Sequence, residues 1–114
     1  MEKIALLLDN NKTVVLPIKD IIYFESDGNY TLVKAQGKDK KMVACKILKN
    51  IEAKLDPDYF FRISKHYIIN LVNMMEFNNS SRITVFMSDG SELTIARRRV
   101  KAFRKKIKEV CLHL

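Results

Sequence analysis

The sequence predicts a mostly β protein of the α+β class. We expect an elongated antiparallel sheet or sandwich of about nine to ten short strands, with one short internal helix and a C-terminal helix. Three observations predict this fold. Short apolar runs rich in β-branched and aromatic residues recur along the chain, polar clusters separate them, and two segments space their apolar residues by three or four.

The strand-like runs follow one another with little between them. In chain order they are KIALLL, TVVLPI, IIYFES, YTLVKA, KMVACK, FFRI, YIINL, RITVFM and ELTIA. Most of them are separated by clusters of the Asp, Asn, Ser, Gly, Gln and Lys residues that occur in turns, at positions 9–11, 26–29, 36–39, 78–81 and 88–91. This alternation predicts consecutive hairpins.

The segment CKILKNIEAKLDPDYF predicts the internal helix. Its apolar residues at 47, 48, 51 and 55 follow helical spacing, and Pro57 should stop the helix because it disfavours α conformation in the preceding residue. The C-terminal segment predicts a second helix packed by an apolar stripe, with cations elsewhere on its surface. The stripe consists of Val100, Phe103, Ile107, Val110 and Leu114.

Length and composition predict one domain, residues 1–114. The chain has 114 residues, a mass of 13.3 kDa and 47% hydrophobic residues, which is enough to form a hydrophobic core without stabilising disulfides or metal sites. No signal peptide is evident and no apolar run approaches the ~20 residues of a membrane span, so we expect a soluble, cytoplasmic protein. Cys45 and Cys111 lack metal-ligand spacing; we expect buried or incidental reduced thiols, with a disulfide as the alternative.

The net charge of +8 favours an anionic partner. Residues 1–57 carry 10 basic and 8 acidic side chains, a balance of +2, whereas residues 58–114 carry 11 and 5, a balance of +6. Eight of the cations lie in the acid-free segment RRRVKAFRKKIK, residues 97–108. A solvated helix face is the simpler interpretation of this segment, although unpaired like charges repel one another.

Enzymatic function is not indicated. His66 and His113 are the only histidines, no phosphate-binding loop occurs, and no His, Cys or carboxylate cluster has metal-site spacing. We therefore expect no catalytic residue, no cofactor and no metal.

The stretch FRISKHYIIN, residues 61–70, resembles a strand interrupted by three polar residues. Ser64, Lys65 and His66 could donate to bases or phosphates from a loop between two strands. A second polar turn offers Asn29 and Tyr30 for the same purpose. Three of these residues also have an interpretation that does not involve DNA. Lys65 is then a solvated lysine, Asn29 a turn-forming residue and Tyr30 a half-buried strand residue.

The RRR run, Arg97, Arg98 and Arg99, offers the fork geometry suited to guanine or phosphate. Adjacent side chains cannot all face one groove. We therefore expect one of these arginines to be structural, either pairing with Glu92 or Glu109 or capping backbone carbonyls.

Taken together, three stretches resemble the LytTR family of bacterial DNA-binding domains. They are DIIYFESDGNYTLV, then KNIEAKLDPDYFFRISKHYIINLVNMMEF, then MSDGSELTIARRRVKAFRKKI. The resemblance covers about residues 4–108. It implies an elongated β domain whose loops enter successive major grooves of a bent DNA site, commonly a direct repeat, unlike helix-turn-helix proteins.

The resemblance implies base or backbone contacts from the turn at Asn29 and Tyr30, from Ser64 and Lys65, and from Arg98. We expect Lys65 and Arg98 to be the main base contacts, with Asn29, Tyr30, Ser64 and His66 in support. The other cations should bind mostly phosphate: Arg97, Arg99, Lys101, Arg104 and Lys105. The expected partner is double-stranded promoter DNA, with a possible homodimer on DNA and no membrane contact.

The chain departs from the family pattern at two places. The family usually has His-Arg-Ser where this chain has Ser64-Lys65-His66, so the target sequence does not transfer. Ala96 stands where serine is usual, which removes a side-chain helix cap at a cost of about 1 kcal/mol; the following arginines could compensate by holding phosphate near the helix start. Many family members also carry a receiver domain, and the sequence fits either a stand-alone regulator or an output domain.

Two alternative functions remain open. One is a non-catalytic interaction module that sequesters another regulator through its basic surface and an exposed strand edge. The other is attachment to an anionic membrane through the C-terminal helix, which is weaker because Phe103 and Ile107 are needed in the core.

Overall fold

In the computed structural model, which describes residues 3–114, the chain forms ten β-strands and two α-helices. The helices are α1 (Leu48–Glu52) and α2 (Val100–Val110), and 3₁₀ turns occupy Ile18–Asp20, Leu71–Asn73 and Arg97–Arg99. The strands are β1 (Lys3–Leu7), β2 (Thr13–Pro17), β3 (Ile21–Asp27), β4 (Tyr30–Ala35), β5 (Met42–Ala44), β6 (Phe60–Arg62), β7 (Tyr67–Asn70), β8 (Met74–Phe77), β9 (Thr84–Met87) and β10 (Glu92–Thr94).

The strands form three antiparallel sheets within residues 3–114. A central sheet has the order β5-β4-β3-β7-β6, β1 pairs with β2, and β8, β9 and β10 form a three-stranded meander. The domain measures 44 × 26 × 25 Å, so it is elongated. The predicted fold class, a mostly β domain with a short internal and a C-terminal helix, is confirmed; residues 1 and 2 of the predicted domain lie outside the described residues.

The central sheet is buried on both faces. On one face the side chains of Phe24, Phe60 and Ile68 pack against the β1–β2 hairpin and α1. On the other face, residues such as Phe61 and Ile69 pack against the three-stranded sheet and α2. Because successive strand residues point to opposite faces, two covered faces require the continuous apolar runs seen in the sequence rather than alternation.

The stretch FRISKHYIIN is the β6–β7 hairpin and its loop. Phe61 lies opposite Ile69, Arg62 lies opposite Ile68, and the Ile63 N–H donates to the Tyr67 carbonyl at 3.1 Å. The predicted interruption of a strand by three polar residues is therefore a hairpin connection, residues 64–66, which we call the 64–66 loop.

Two buried asparagines close the far end of this hairpin. The Asn70 amide, fully buried, donates to the carbonyls of Ile18 and Ile21 at 2.8 Å each, and its Oδ1 accepts from the Val72 N–H at 3.0 Å. Asn73 donates to the Ile21 carbonyl as well. The turn that leads into β3 is thus held by side chains of β7 and of the 3₁₀ turn that follows it.

Helical details differ from the sequence-based expectation. Helix α1 ends at Glu52 because the following amides of Lys54 and Leu55 bond three residues back, in 3₁₀ fashion, before Pro57 is reached. In α2 the stripe is buried only at Phe103 and Ile107; Val110 and Leu114 are exposed, since the helix ends at Val110. Among residues 3–114, no helix has the length and apolarity that crossing a membrane requires.

Two further expectations were incomplete. Strand β8 was missed because MMEF carries a charge and lacks β-branched residues, yet it pairs with β9. Cys45 and Cys111 are free, as expected, but both are exposed rather than buried.

Candidate nucleic-acid interface

The 64–66 loop projects from the end of the central sheet. Ile63 is fully buried and anchors its start, whereas Lys65 and His66 are exposed and Ser64 is half-buried. The Lys65 ammonium makes no hydrogen bond or ion pair with any other group in residues 3–114. Its three donors are therefore available to an external acceptor.

Arg62 shapes the backbone of this loop. Its Nε donates to the Ser64 carbonyl and its Nη2 to the Lys65 carbonyl, both at 2.7 Å. Its Nη1 forms an ion pair with Glu52 of α1 at 2.8 Å. The planar guanidinium thus holds two carbonyls of the loop at a fixed spacing.

The β3–β4 turn lies beside the 64–66 loop because β3 and β7 are antiparallel neighbours. The Ser26 N–H donates to the His66 carbonyl at 2.8 Å, and the Ser26 hydroxyl lies 3.0 Å from His66 Nδ1. Gly28 has φ +58° at the first central turn position, the glycine-first pattern of a type II′ hairpin. Asn29 and Tyr30 follow it and are exposed, so the structure brings both predicted polar turns to one end of the sheet.

The segment before α2 is attached to the same hairpin. The Ala96 N–H donates to the Ile63 carbonyl at 2.9 Å, and Ala96 provides no side-chain cap, as expected for alanine. Arg99 Nε donates to the Arg62 carbonyl at 2.9 Å, and its guanidinium lies 4.7 Å from the centre of the Phe61 ring. Arg99 is therefore the expected structural arginine, and its partner is a backbone carbonyl rather than Glu92 or Glu109.

A shallow basic depression joins the loop to this segment. Its volume is about 410 Å³, and Ser64, Lys65, His66 and Arg98 share its surface. Arg82 also lines it and was missed, because the sequence placed Arg82 at the start of a strand whereas β9 begins at Thr84. We call this surface the basic depression; its remaining lining residues are Thr94, Ile95 and Ala96.

The other predicted cations lie along α2 or just before it. Lys101, Arg104 and Lys105 are exposed, and together with Lys108 they occupy positions i, i+3, i+4 and i+7, which form one helix face. Arg97 is also exposed. None of these side chains bonds to the 64–66 loop within residues 3–114, so they form a cationic flank outside the basic depression.

One carboxylate close to the loop is already neutralised. Glu25 accepts from the Lys41 ammonium at 2.7 Å and from the Tyr67 hydroxyl at 3.1 Å. The Glu25 carboxylate raises the pKa of Lys41, and burial together with Glu25 raises the pKa of Tyr67. Glu25 therefore cancels little of the positive charge at this end of the sheet.

Comparison with known proteins decides the family. The protein-family model for the LytTr DNA-binding domain matches residues 11–108 of this chain. The chain belongs to the LytTR family. It is thus a DNA-binding domain of the kind found in transcriptional regulators, and membership in this family implies a non-enzymatic role.

A solved LytTR structure has the same fold. This chain superposes on the LytTr DNA-binding domain of a putative methyl-accepting/DNA response regulator from Bacillus cereus with a TM-score of 0.79. The two are 19% identical, and the match covers 94% of this chain and 97% of that one. At this identity the likeness concerns the fold alone.

Two curated relatives are longer proteins. The heme-containing CO-sensing transcriptional regulators RcoM 1 and RcoM 2 of Paraburkholderia xenovorans are 22% and 21% identical to this chain over 98 residues. The match covers 83% of this chain but only 36% of each relative. The LytTR chain thus corresponds to about a third of those regulators.

Proposed function

We propose that the basic depression reads base sequence in the major groove of double-stranded DNA, with Lys65 and Arg98 as the main base contacts. The observation that carries this proposal is their position: two exposed cations share one surface at the end of a rigid sheet, and neither has an ion-pair partner in residues 3–114. Lysine and arginine both donate to guanine O6 and N7, and arginine does so through two donors.

Four polar residues would support these contacts. Ser64 and His66 flank Lys65, while Asn29 and Tyr30 extend from the adjacent β3–β4 turn. The Ser26–His66 pair ties the turn to the loop at 3.0 Å. Both polar segments would therefore approach the DNA as one unit.

The cationic flank would bind phosphate. Lys101, Arg104 and Lys105 form one exposed face of α2, and Arg97 is exposed just before it. Arg99 can contribute only its Nη groups, since its Nε donates to the Arg62 carbonyl. Phosphate contacts of this kind fix orientation on the duplex and carry no direct sequence information.

We also propose that residues 1–114 act as a single unit that reaches two successive major grooves. The domain is 44 Å long, which exceeds the ~34–36 Å of one turn of B-DNA. A promoter site would then contain a direct repeat occupied by two copies of the domain, with the DNA bent between them.

The test is selection of bound sequences from a random duplex pool by the purified protein near physiological salt. We expect enrichment of one short motif, present twice in the same orientation. Binding without enrichment of any motif would mean that the protein contacts phosphate but does not read base sequence. No binding by a folded protein, together with a stable complex with another regulator, would favour an interaction module instead.

A further inference from the structure

A separate cavity of about 320 Å³ lies on the opposite side of the central sheet from α2. It is a half-open cleft bordered by β1 of the β1–β2 hairpin, by α1 and by the central sheet, and its floor is formed by the buried apolar residues Leu6, Phe24, Ile51 and Phe60. We call it the hairpin pocket. Its volume lies at the lower end of the range for small-molecule sites.

Cations border the mouth of the hairpin pocket. Lys46 and Lys54 both line this mouth, and the nearby Lys54 ammonium lowers the pKa of Lys46. Lys3 lies on the same border, and none of the three forms an ion pair within residues 3–114. Asp56 lines the pocket too, but its Oδ1 accepts from the Asp58 N–H at 2.9 Å.

Two like charges on one pocket mouth without an ion-pair partner repel each other, and an anion placed between them removes that repulsion. A carboxylate can accept from both ammonium groups at once, and charge-assisted bonds of this type are the stronger class of hydrogen bond. An apolar floor beside such a pair favours a ligand that is anionic at one end and apolar at the other.

We propose that the hairpin pocket binds a small free amphiphilic carboxylate, with its head group on Lys46 and Lys54 and its alkyl tail on the apolar floor. The pocket has room for about ten groups of the size of a water molecule, at ~30 Å³ each. Octanoate, a linear carboxylate with an eight-carbon chain, matches this size. The assignment does not depend on the proposed DNA contacts.

The experiment is an NMR titration of the full chain with octanoate, octanol and octylammonium, following backbone amides. We expect octanoate to shift amides of Ala44–Lys46 and Asn50–Leu55, and octanol and octylammonium to bind at least about tenfold more weakly because they lack the charge-assisted bonds. The double variant Lys46→Ala/Lys54→Ala should bind octanoate at least about tenfold more weakly. Lys49→Ala is the matched control, an exposed lysine of α1 that does not line the pocket.

Several results would overturn the proposal. They are equal binding of octanol and octanoate, unchanged octanoate affinity in the double variant, shifts confined to another surface, and lysine-dependent binding only to vesicles of anionic lipid. Amide signals remote from the pocket report whether the double variant is folded, and both substituted lysines are exposed, so the fold should persist.

Discussion

The two ends of the β6–β7 hairpin both carry polar residues, but these residues have opposite roles. At one end Lys65 is exposed and makes no side-chain hydrogen bond within residues 3–114. At the other end Asn70 is fully buried and makes three hydrogen bonds with backbone groups. Polarity alone therefore does not identify a binding residue. What distinguishes the two residues is whether the protein itself satisfies their hydrogen-bonding groups.

The largest effect should come from the buried end. Asn70→Ala removes three hydrogen bonds and leaves a cavity at a fully buried position, so we expect a loss of about 2–4 kcal/mol in the free energy of unfolding. Urea denaturation measures it. Asn29→Ala is the matched control in an exposed turn and should change stability by less than about 0.5 kcal/mol. Similar losses of unfolding free energy in both variants would show that burial and hydrogen bonding do not distinguish the two asparagines.

At the exposed end the effects should appear in binding and not in stability. Lys65→Ala and Arg98→Ala should each weaken binding to the preferred duplex by about 1–3 kcal/mol and change binding to random DNA little. Fluorescence anisotropy with both duplexes measures this difference. Lys12→Ala, at an exposed position of the β1–β2 turn, serves as the control. If Lys65→Ala weakened binding to all duplexes equally, its assignment as a base contact would be wrong.

Arg62 connects the two kinds of residue, because its side chain is used internally to position the loop. Arg62→Lys keeps the charge but cannot hold the Ser64 and Lys65 carbonyls with a planar fork, so specific binding should weaken by about 1 kcal/mol. Glu52→Gln keeps both carbonyl bonds and should have a smaller effect. Amide shifts of Ser64 and Lys65 should change in the first variant; unchanged loop signals and unchanged affinity would show that Arg62 does not position the loop.

The cationic flank should give a smaller and sequence-independent effect. Arg104→Ala should weaken binding to every duplex to a similar extent and reduce the slope of log affinity against log salt by about 1. Titrations at several salt concentrations, on preferred and random duplexes, test this expectation. A loss restricted to the preferred duplex would instead place Arg104 on a base.

The half-buried Glu25–Lys41–Tyr67 cluster should have the smallest effect, and only at high pH. The folded protein raises the pKa of both Lys41 and Tyr67, so their contribution to stability is complete below their unfolded values of ~10 and is lost as pH rises through the folded ones. Unfolding free energy should therefore fall above about pH 10, and less so in Tyr67→Phe. An equal slope of unfolding free energy against pH in the unsubstituted protein and in Tyr67→Phe would show that Tyr67 does not contribute to the loss of stability.

Much of the fold could be predicted because its strands are apolar on both faces. The runs around Phe24, Phe61 and Ile69 are long enough to identify without knowledge of their partners. Strand β8 could not be predicted in this way, since Glu76 and its neighbours pair only because β9 lies alongside. The early end of α1 likewise depends on local hydrogen bonding that apolar spacing does not report.

The candidate site likewise combines features that the sequence predicts with features that only the folded structure shows. Lys65 and Arg98 could be proposed from residue type and family resemblance, but their common surface results from the bond between the Ala96 N–H and the Ile63 carbonyl, 33 positions apart in the chain. Arg82 enters that surface through the loop before β9. The roles of Arg62 and Asn70 depend on carbonyls that they reach in space, which residue type alone could not indicate.

The most direct test of base readout at the basic depression is to repeat the duplex selection with Lys65→Ala and Arg98→Ala. We expect each variant still to enrich a motif, but to lose preference at a few base positions, which should differ between the two variants. Enrichment of the unchanged motif by both variants would show that the two side chains contribute affinity without reading base sequence, contrary to the proposed function.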